Sequence, residues 1–152
     1  SALADTIIPV PDTPGALAAH VPAQVEALLA NWASATSRTE ILAALGRIEA
    51  LGGGFTALSP AARHAALTPH DADALVVTAQ PAPGSGVAGL LSGPQRRDRG
   101  YAVLRELVVL LYYYSEIGLT EELEWSPIPG RWDASVPLTA SSRAISNGIG
   151  NF

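Results

Sequence analysis

The chain has 152 residues, 48% of them apolar, and a formal net charge of −5. All of its nine basic residues are arginine, which leaves no phosphate-neutralising footprint and argues against nucleic-acid binding. There is no cysteine, so disulfides, thiolate zinc sites and cysteine nucleophiles are excluded, while the apolar fraction suffices for one buried core.

Leu3 to Ile8 reads as a short helix stopped by Pro9. Asp12-Thr13-Pro14-Gly15 has proline and glycine in the order of a type II turn. Pro22 suits a first helical position, and Val21, Val25, Leu28, Leu29 and Trp32 follow at helical spacing to about Ala33. Ser37-Arg38-Thr39-Glu40 fits a capping box for the next helix. Its stripe is Ile41, Leu42, Leu45, Ile48 and Leu51, and Gly52-Gly53-Gly54 ends it. Ser59-Pro60 opens a helix through Leu67, and Thr68-Pro69 opens another through about Ala79. Residues 80–100 are rich in proline, glycine and arginine and read as a long flexible loop.

Arg99 to Ile117 is the longest predicted helix, with Gly118 as its left-handed stop. Leu104, Leu107, Val108 and Leu111 form one face; Val103, Leu110, Tyr114 and Ile117 form another. A helix apolar over so much of its circumference is central or at an interface. Thr120 to Leu123 reads as one more helical turn. From Trp125 the prolines break any period, and 125–152 reads as an extended tail. The expectation is a single all-α domain over 1–152, a small helical bundle with long irregular loops. Its longest strongly apolar run, Leu107 to Tyr114, is far short of the roughly 20 residues that span a bilayer.

Chemistry-bearing groups are sparse. Gly84-Ser85-Gly86-Val87-Ala88-Gly89 spells the dinucleotide fingerprint, but Gln80 to Pro83 separate it from any strand and Gly93-Pro94 breaks a following helix. It reads as loop composition. His20, His64 and His70 lack ligand spacing and read as surface or capping residues. Asp71 and Asp73 read as dipole partners in a first helical turn. Ser115 and Glu116 have no histidine nearby to complete a nucleophile and base, so Glu116 is expected to pair with arginine or accept backbone N–H bonds. Glu121, Glu122 and Glu124 read as a solvated acidic face. Trp125, Arg131 and Trp132 have two readings: indoles folded back on the helices, or interface anchors. No catalytic, cofactor-binding or metal-binding residue is assigned.

Two blocks carry a family resemblance. The first is Leu3-Ala4-Asp5-Thr6-Ile7-Ile8-Pro9 followed by Asp12-Thr13-Pro14-Gly15-Ala16. The second is Tyr112-Tyr113-Tyr114-Ser115-Glu116-Ile117-Gly118, then Glu122-Leu123-Glu124-Trp125 and Pro129-Gly130-Arg131-Trp132. Together they resemble the gluconate 2-dehydrogenase subunit 3 family. Leu111 stands where that family commonly has glycine, and Tyr114 where it commonly has a small hydroxyl residue. The resemblance implies a non-catalytic small subunit of a glucose-methanol-choline type sugar, sugar-acid or glucoside dehydrogenase. It implies FAD in a large partner subunit, a cytochrome c subunit with haem as a frequent third member, and periplasmic export by the twin-arginine route. The start at Ser1, with no export signal in view, is accordingly read as a processed or trimmed product. Tyr112, Tyr113, Tyr114, Glu116, Trp125, Arg131 and Trp132 are the expected partner surface. Two other readings stay open: a stand-alone helical module holding a small ligand between the long helix and the tail, and a small enzyme using Glu116 and the acidic cluster.

Overall fold

Capping residues and apolar spacing set five α-helices in the computed structural model, which describes residues 1–10, 12–80, 93–125, 130 and 135–146. Helix α1 (Ala2–Ile7) ends before Pro9, as its sequence predicts. Helix α2 (Val21–Asn31) carries Pro22 in its first turn, where the missing N–H costs nothing. It stops short of Trp32, which is 84% exposed and takes no part in the predicted stripe.

Helix α3 (Ala35–Glu49) starts earlier than the capping-box reading placed it. Ser34 is the cap, its Oγ accepting the Ser37 N–H at 3.1 Å. Glu40 is thereby left free to reach Arg99 at 3.1 Å. Ile41, Ala44 and Ile48 face the core, while Leu42, predicted in the stripe, lies exposed one position off it.

Helix α4 (Pro60–Ala74) corrects a second expectation. Pro69 does not open a new helix; α4 runs through it. The proline forfeits one backbone bond, but Leu67 and Ala74, seven residues apart on one face, are both buried. Packing of that face outweighs the local penalty. Thr68 is no cap either: its Oγ1 donates to the His64 carbonyl at 2.8 Å. Asp71 and Asp73 consequently fall in the last turn, where the helix dipole disfavours carboxylates. Each has acquired a cation there: Arg105 lies 2.9 Å from Asp71, and Arg97 pairs with Asp73.

Helix α5 (Arg99–Tyr113) is the central element. It buries Tyr101, Leu104, Val108 and Tyr112 against α3 and α2, with α1 and α4 closing the other sides. The Asp98 carboxylate caps α5 through the Tyr101 N–H at 3.0 Å and takes a two-pronged bond from Arg47 of α3 at 2.8 and 2.9 Å. One side chain thus starts the helix and sets its place beside its main neighbour.

Between α4 and α5, strand β1 (Val77–Ala79) pairs antiparallel with β2 (Gln95–Arg96). The close of the predicted 80–100 loop is therefore ordered. Its arginines are tied down, Arg96 donating to the Leu75 carbonyl at 2.8 Å. Residues 81–92, with the glycine fingerprint, lie outside the described residues. An antiparallel return from β1 is nonetheless the wrong topology for a dinucleotide-binding βαβ unit. In the predicted tail, strand β3 (Glu124–Trp125) pairs in parallel with β4 (Ile145–Ser146).

Tyr101 supplies a test of the core. It has no exposed surface, its hydroxyl donates to Asp71 at 2.8 Å, and its ring meets His70 edge-on at 4.8 Å. Burial first, then the Asp71 bond and charge, push its phenol well above the usual value. An unfolded tyrosine ionises near about pH 10. A raised folded value means the native state keeps its proton while the unfolded state loses it. This contribution to stability is thus full below about pH 10 and lost as pH rises further. Tyr101→Phe is expected to cost about 1 kcal/mol at neutral pH and to flatten the alkaline fall of the thermal midpoint. A variant falling as steeply as wild type would assign that transition to another group.

Candidate functional site

The two sequence blocks, about a hundred positions apart, meet in space. At the end of α5 the Tyr112 hydroxyl donates to the Pro14 carbonyl at 2.8 Å. Beside it, Thr13 Oγ1 donates to Glu122 Oε2 at 2.5 Å. Tyr112 is 1% exposed, so its ring is core and its hydroxyl is a tie between the blocks. Gly15 sits where an added Cβ would lie 2.6 Å from the carbonyl oxygens of Ile8 and Pro9. Its φ is not positive, so the predicted type II turn is absent, and the glycine serves close approach of the backbone instead.

The predicted long helix ends earlier than Ile117, and Ser115 explains how. Its Oγ donates to the Tyr112 carbonyl at 2.6 Å and accepts the Gly118 N–H at 3.0 Å. One hydroxyl thus satisfies a carbonyl at the helix end and folds the chain back on it. Gly118 does not adopt the left-handed φ expected of it. It is buried at the start of a π turn, Gly118–Glu122, which leads into β3.

Around this junction the seven expected contact residues separate. Tyr112 belongs to the interior and offers no side-chain surface. Tyr113 is 38% exposed, Tyr114 48% and Trp125 44%. Glu116 is exposed too and takes part in none of the ion pairs among the described residues, so the arginine partner, one of the two roles expected of it beside accepting backbone N–H bonds, is not seen there. Arg131 and Trp132 lie outside the described residues. Tyr113 packs edge-on against Tyr112 at 5.3 Å. Partial burial first, and then the Glu122 carboxylate, raise its phenol pKa. Glu122 is therefore not simply solvated: it is bonded to Thr13 and lies beside Tyr113. The Thr13–Glu122 bond leaves no local signal in the sequence beyond both residues belonging to the resembling blocks.

At the opposite end of α5 lies an open cleft of about 670 Å³, lined in part by Glu40, Arg47, His70, Asp73, Arg97 and Asp98. Its arginines are matched by acids of the same wall: Arg47 with Asp98, Arg97 with Asp73, Arg99 with Glu40. A second, smaller cleft of about 190 Å³ lies between α1, α4 and Arg105 of α5. Neither lies between α5 and the tail, where the ligand-module reading would place its ligand. Among the described residues no group of three His, Cys, Asp or Glu side chains is placed to hold a metal ion. No helix among them is long and apolar enough to cross a membrane.

The fold and this junction define a class: a small helical domain whose two terminal blocks close on each other and leave aromatic side chains exposed at one end. The chain belongs to the gluconate 2-dehydrogenase subunit 3 family, whose family model matches residues 1–130. That family is one of small subunits of a sugar dehydrogenase complex, which implies other subunits. Comparison with curated proteins and with solved structures gave no match.

Proposed function

We propose that this chain is the non-catalytic small subunit that binds and stabilises a large FAD-dependent sugar, sugar-acid or glucoside dehydrogenase subunit, and that it accompanies that subunit by the twin-arginine route to the periplasm. The flavin belongs to the partner, and a cytochrome c subunit with haem is the natural electron acceptor of the assembly. The observation that carries the reading is the end of α5. The family blocks converge there, yet Tyr113, Tyr114 and Trp125 keep large aromatic surfaces open to solvent. Aromatic residues of this kind anchor protein interfaces, where rigid rings bury much area at little entropic cost.

The test is a tagged pull-down from the native host, read by mass spectrometry and by visible absorption of the eluate. A stoichiometric large subunit with flavin bands is the expected result, and haem bands would add the cytochrome. A colourless, partnerless chain would overturn the assignment. Tyr113→Ala combined with Trp125→Ala is expected to cut recovery of the flavoprotein at least about tenfold, the scale of losing interface hot spots. Unchanged recovery would place the contact surface elsewhere.

A further inference from the structure

The described part of the C-terminal arm, residues 135–146, returns to the aromatic end and is fastened there by polar bonds. The Arg143 guanidinium donates to the carbonyls of Glu121 and Thr120 at 2.7 and 3.3 Å. The Glu124 N–H donates to the Ala144 carbonyl at 2.8 Å, beside the parallel pairing of Glu124 with Ile145 and Trp125 with Ser146. Farther out, the Thr139 N–H donates to Ser142 Oγ at 2.9 Å and rounds the arm into a turn.

The arm nevertheless leaves its aliphatic side chains outside. Val136 is 61% exposed, Leu138 89% and Ile145 63%. Two residues of parallel pairing are too few to hold a ladder on their own, so apolar side chains in such an arm gain burial only from another surface. The charge around it is one-sided. Among the described residues Glu116, Glu121 and Glu124 are exposed carboxylates at this end, whereas Arg143 is directed at backbone carbonyls. The complement of such a face is an apolar pocket rimmed by cations. The family match ends at residue 130, so the arm lies beyond the part of the chain that the family model describes.

We propose that the arm is a second docking element: it places Leu138 and Ile145 in an apolar, arginine- or lysine-rimmed surface of the flavoprotein subunit, and so helps to set which partner this chain accepts. The proposal rests on the subunit reading above. It adds the arm and the chemistry of the surface that receives it.

The experiment uses the full-length chain and the flavoprotein that co-purifies with it, separated and titrated at low and high salt. Leu138→Ser with Ile145→Ser is expected to raise Kd about tenfold or more at both salt concentrations, since it removes apolar anchors. Glu121→Lys with Glu124→Lys is expected to weaken binding at low salt, by a factor that shrinks at high salt as screening grows. These side chains lie outside the core, so each variant should keep the wild-type thermal midpoint, which is measured alongside. A serine variant binding within about twofold of wild type overturns the role of the arm. Tighter binding of the lysine variant at low salt overturns the cationic rim. If the wild-type chain captures no flavoprotein at all, the subunit reading falls and this one with it.

Discussion

Gly118→Ala is expected to destabilise the protein by about 3 kcal/mol, near the upper end of what overpacking costs. For a chain of this length that lowers the thermal midpoint by roughly 10 °C. The reason is local and steric. A Cβ at position 118 would lie 2.1 Å from the Tyr112 carbonyl oxygen and 2.9 Å from the Tyr113 Cα. Both are backbone atoms, so no rotamer change can relieve the clash. Either the π turn moves away or the last turn of α5 unwinds. The Ser115 bridge loses its geometry in both cases, because its Oγ joins the Tyr112 carbonyl to the Gly118 N–H. Ser115→Ala removes that bridge without a clash and should cost only about 1 kcal/mol. Thermal melts of the two variants separate sterics from hydrogen bonding. A Gly118→Ala midpoint no lower than that of Ser115→Ala would show that the turn accommodates a methyl group.

The same position shows what sequence reasoning reaches. Gly118 reads as a left-handed helix stop, because glycine after an apolar helix usually ends it, yet α5 ends at Tyr113 and Gly118 opens the π turn instead. The mechanism was not legible, since close approach to Tyr112 depends on how the chain folds back. The all-α architecture was legible from apolar spacing and from the capping residue Ser59, whereas the Asp98 cap of α5 had no such reading. Boundaries failed where packing overrode local grammar. Pro69 looks like a helix start, yet Leu67 and Ala74 share a buried face and carry α4 through it. Ser37 looks like a cap, yet Ser34 performs that role and Glu40 pairs with Arg99 on a different helix. Contacts between distant segments left no local period to read. The bond from Thr13 to Glu122 and the Arg143 latch on the π turn are of this kind. The run of three tyrosines was visible as an aromatic excess. Which ring points inward is decided by the angular position of each residue on α5 against α1 and α2.

Adjacent tyrosines should therefore fail in different assays. Tyr112→Ala is expected to cost about 4 kcal/mol, in the range for emptying an aromatic site in a core. Its ring is 1% exposed, and its hydroxyl holds the Pro14 carbonyl across the junction of the two blocks. Tyr112→Phe keeps the ring, loses that bond and should cost about 1 kcal/mol. Tyr113→Ala gives up an edge-on contact and a partly solvated ring, a loss of about 1 kcal/mol or less. Capture of the flavoprotein should follow the opposite order among variants that still fold. Tyr112→Phe should bind like wild type, because its side chain reaches no surface. Tyr113→Ala should bind poorly while melting almost normally. Melting curves and pull-downs on these three proteins give the answer together. If Tyr113→Ala loses stability as heavily as Tyr112→Ala, Tyr113 is a core residue and the interface must be sought at Trp125 and the arm. If Tyr112→Phe loses its partner while keeping its fold, the backbone around Pro14 is itself part of the contact, and the first block carries recognition as well as structure.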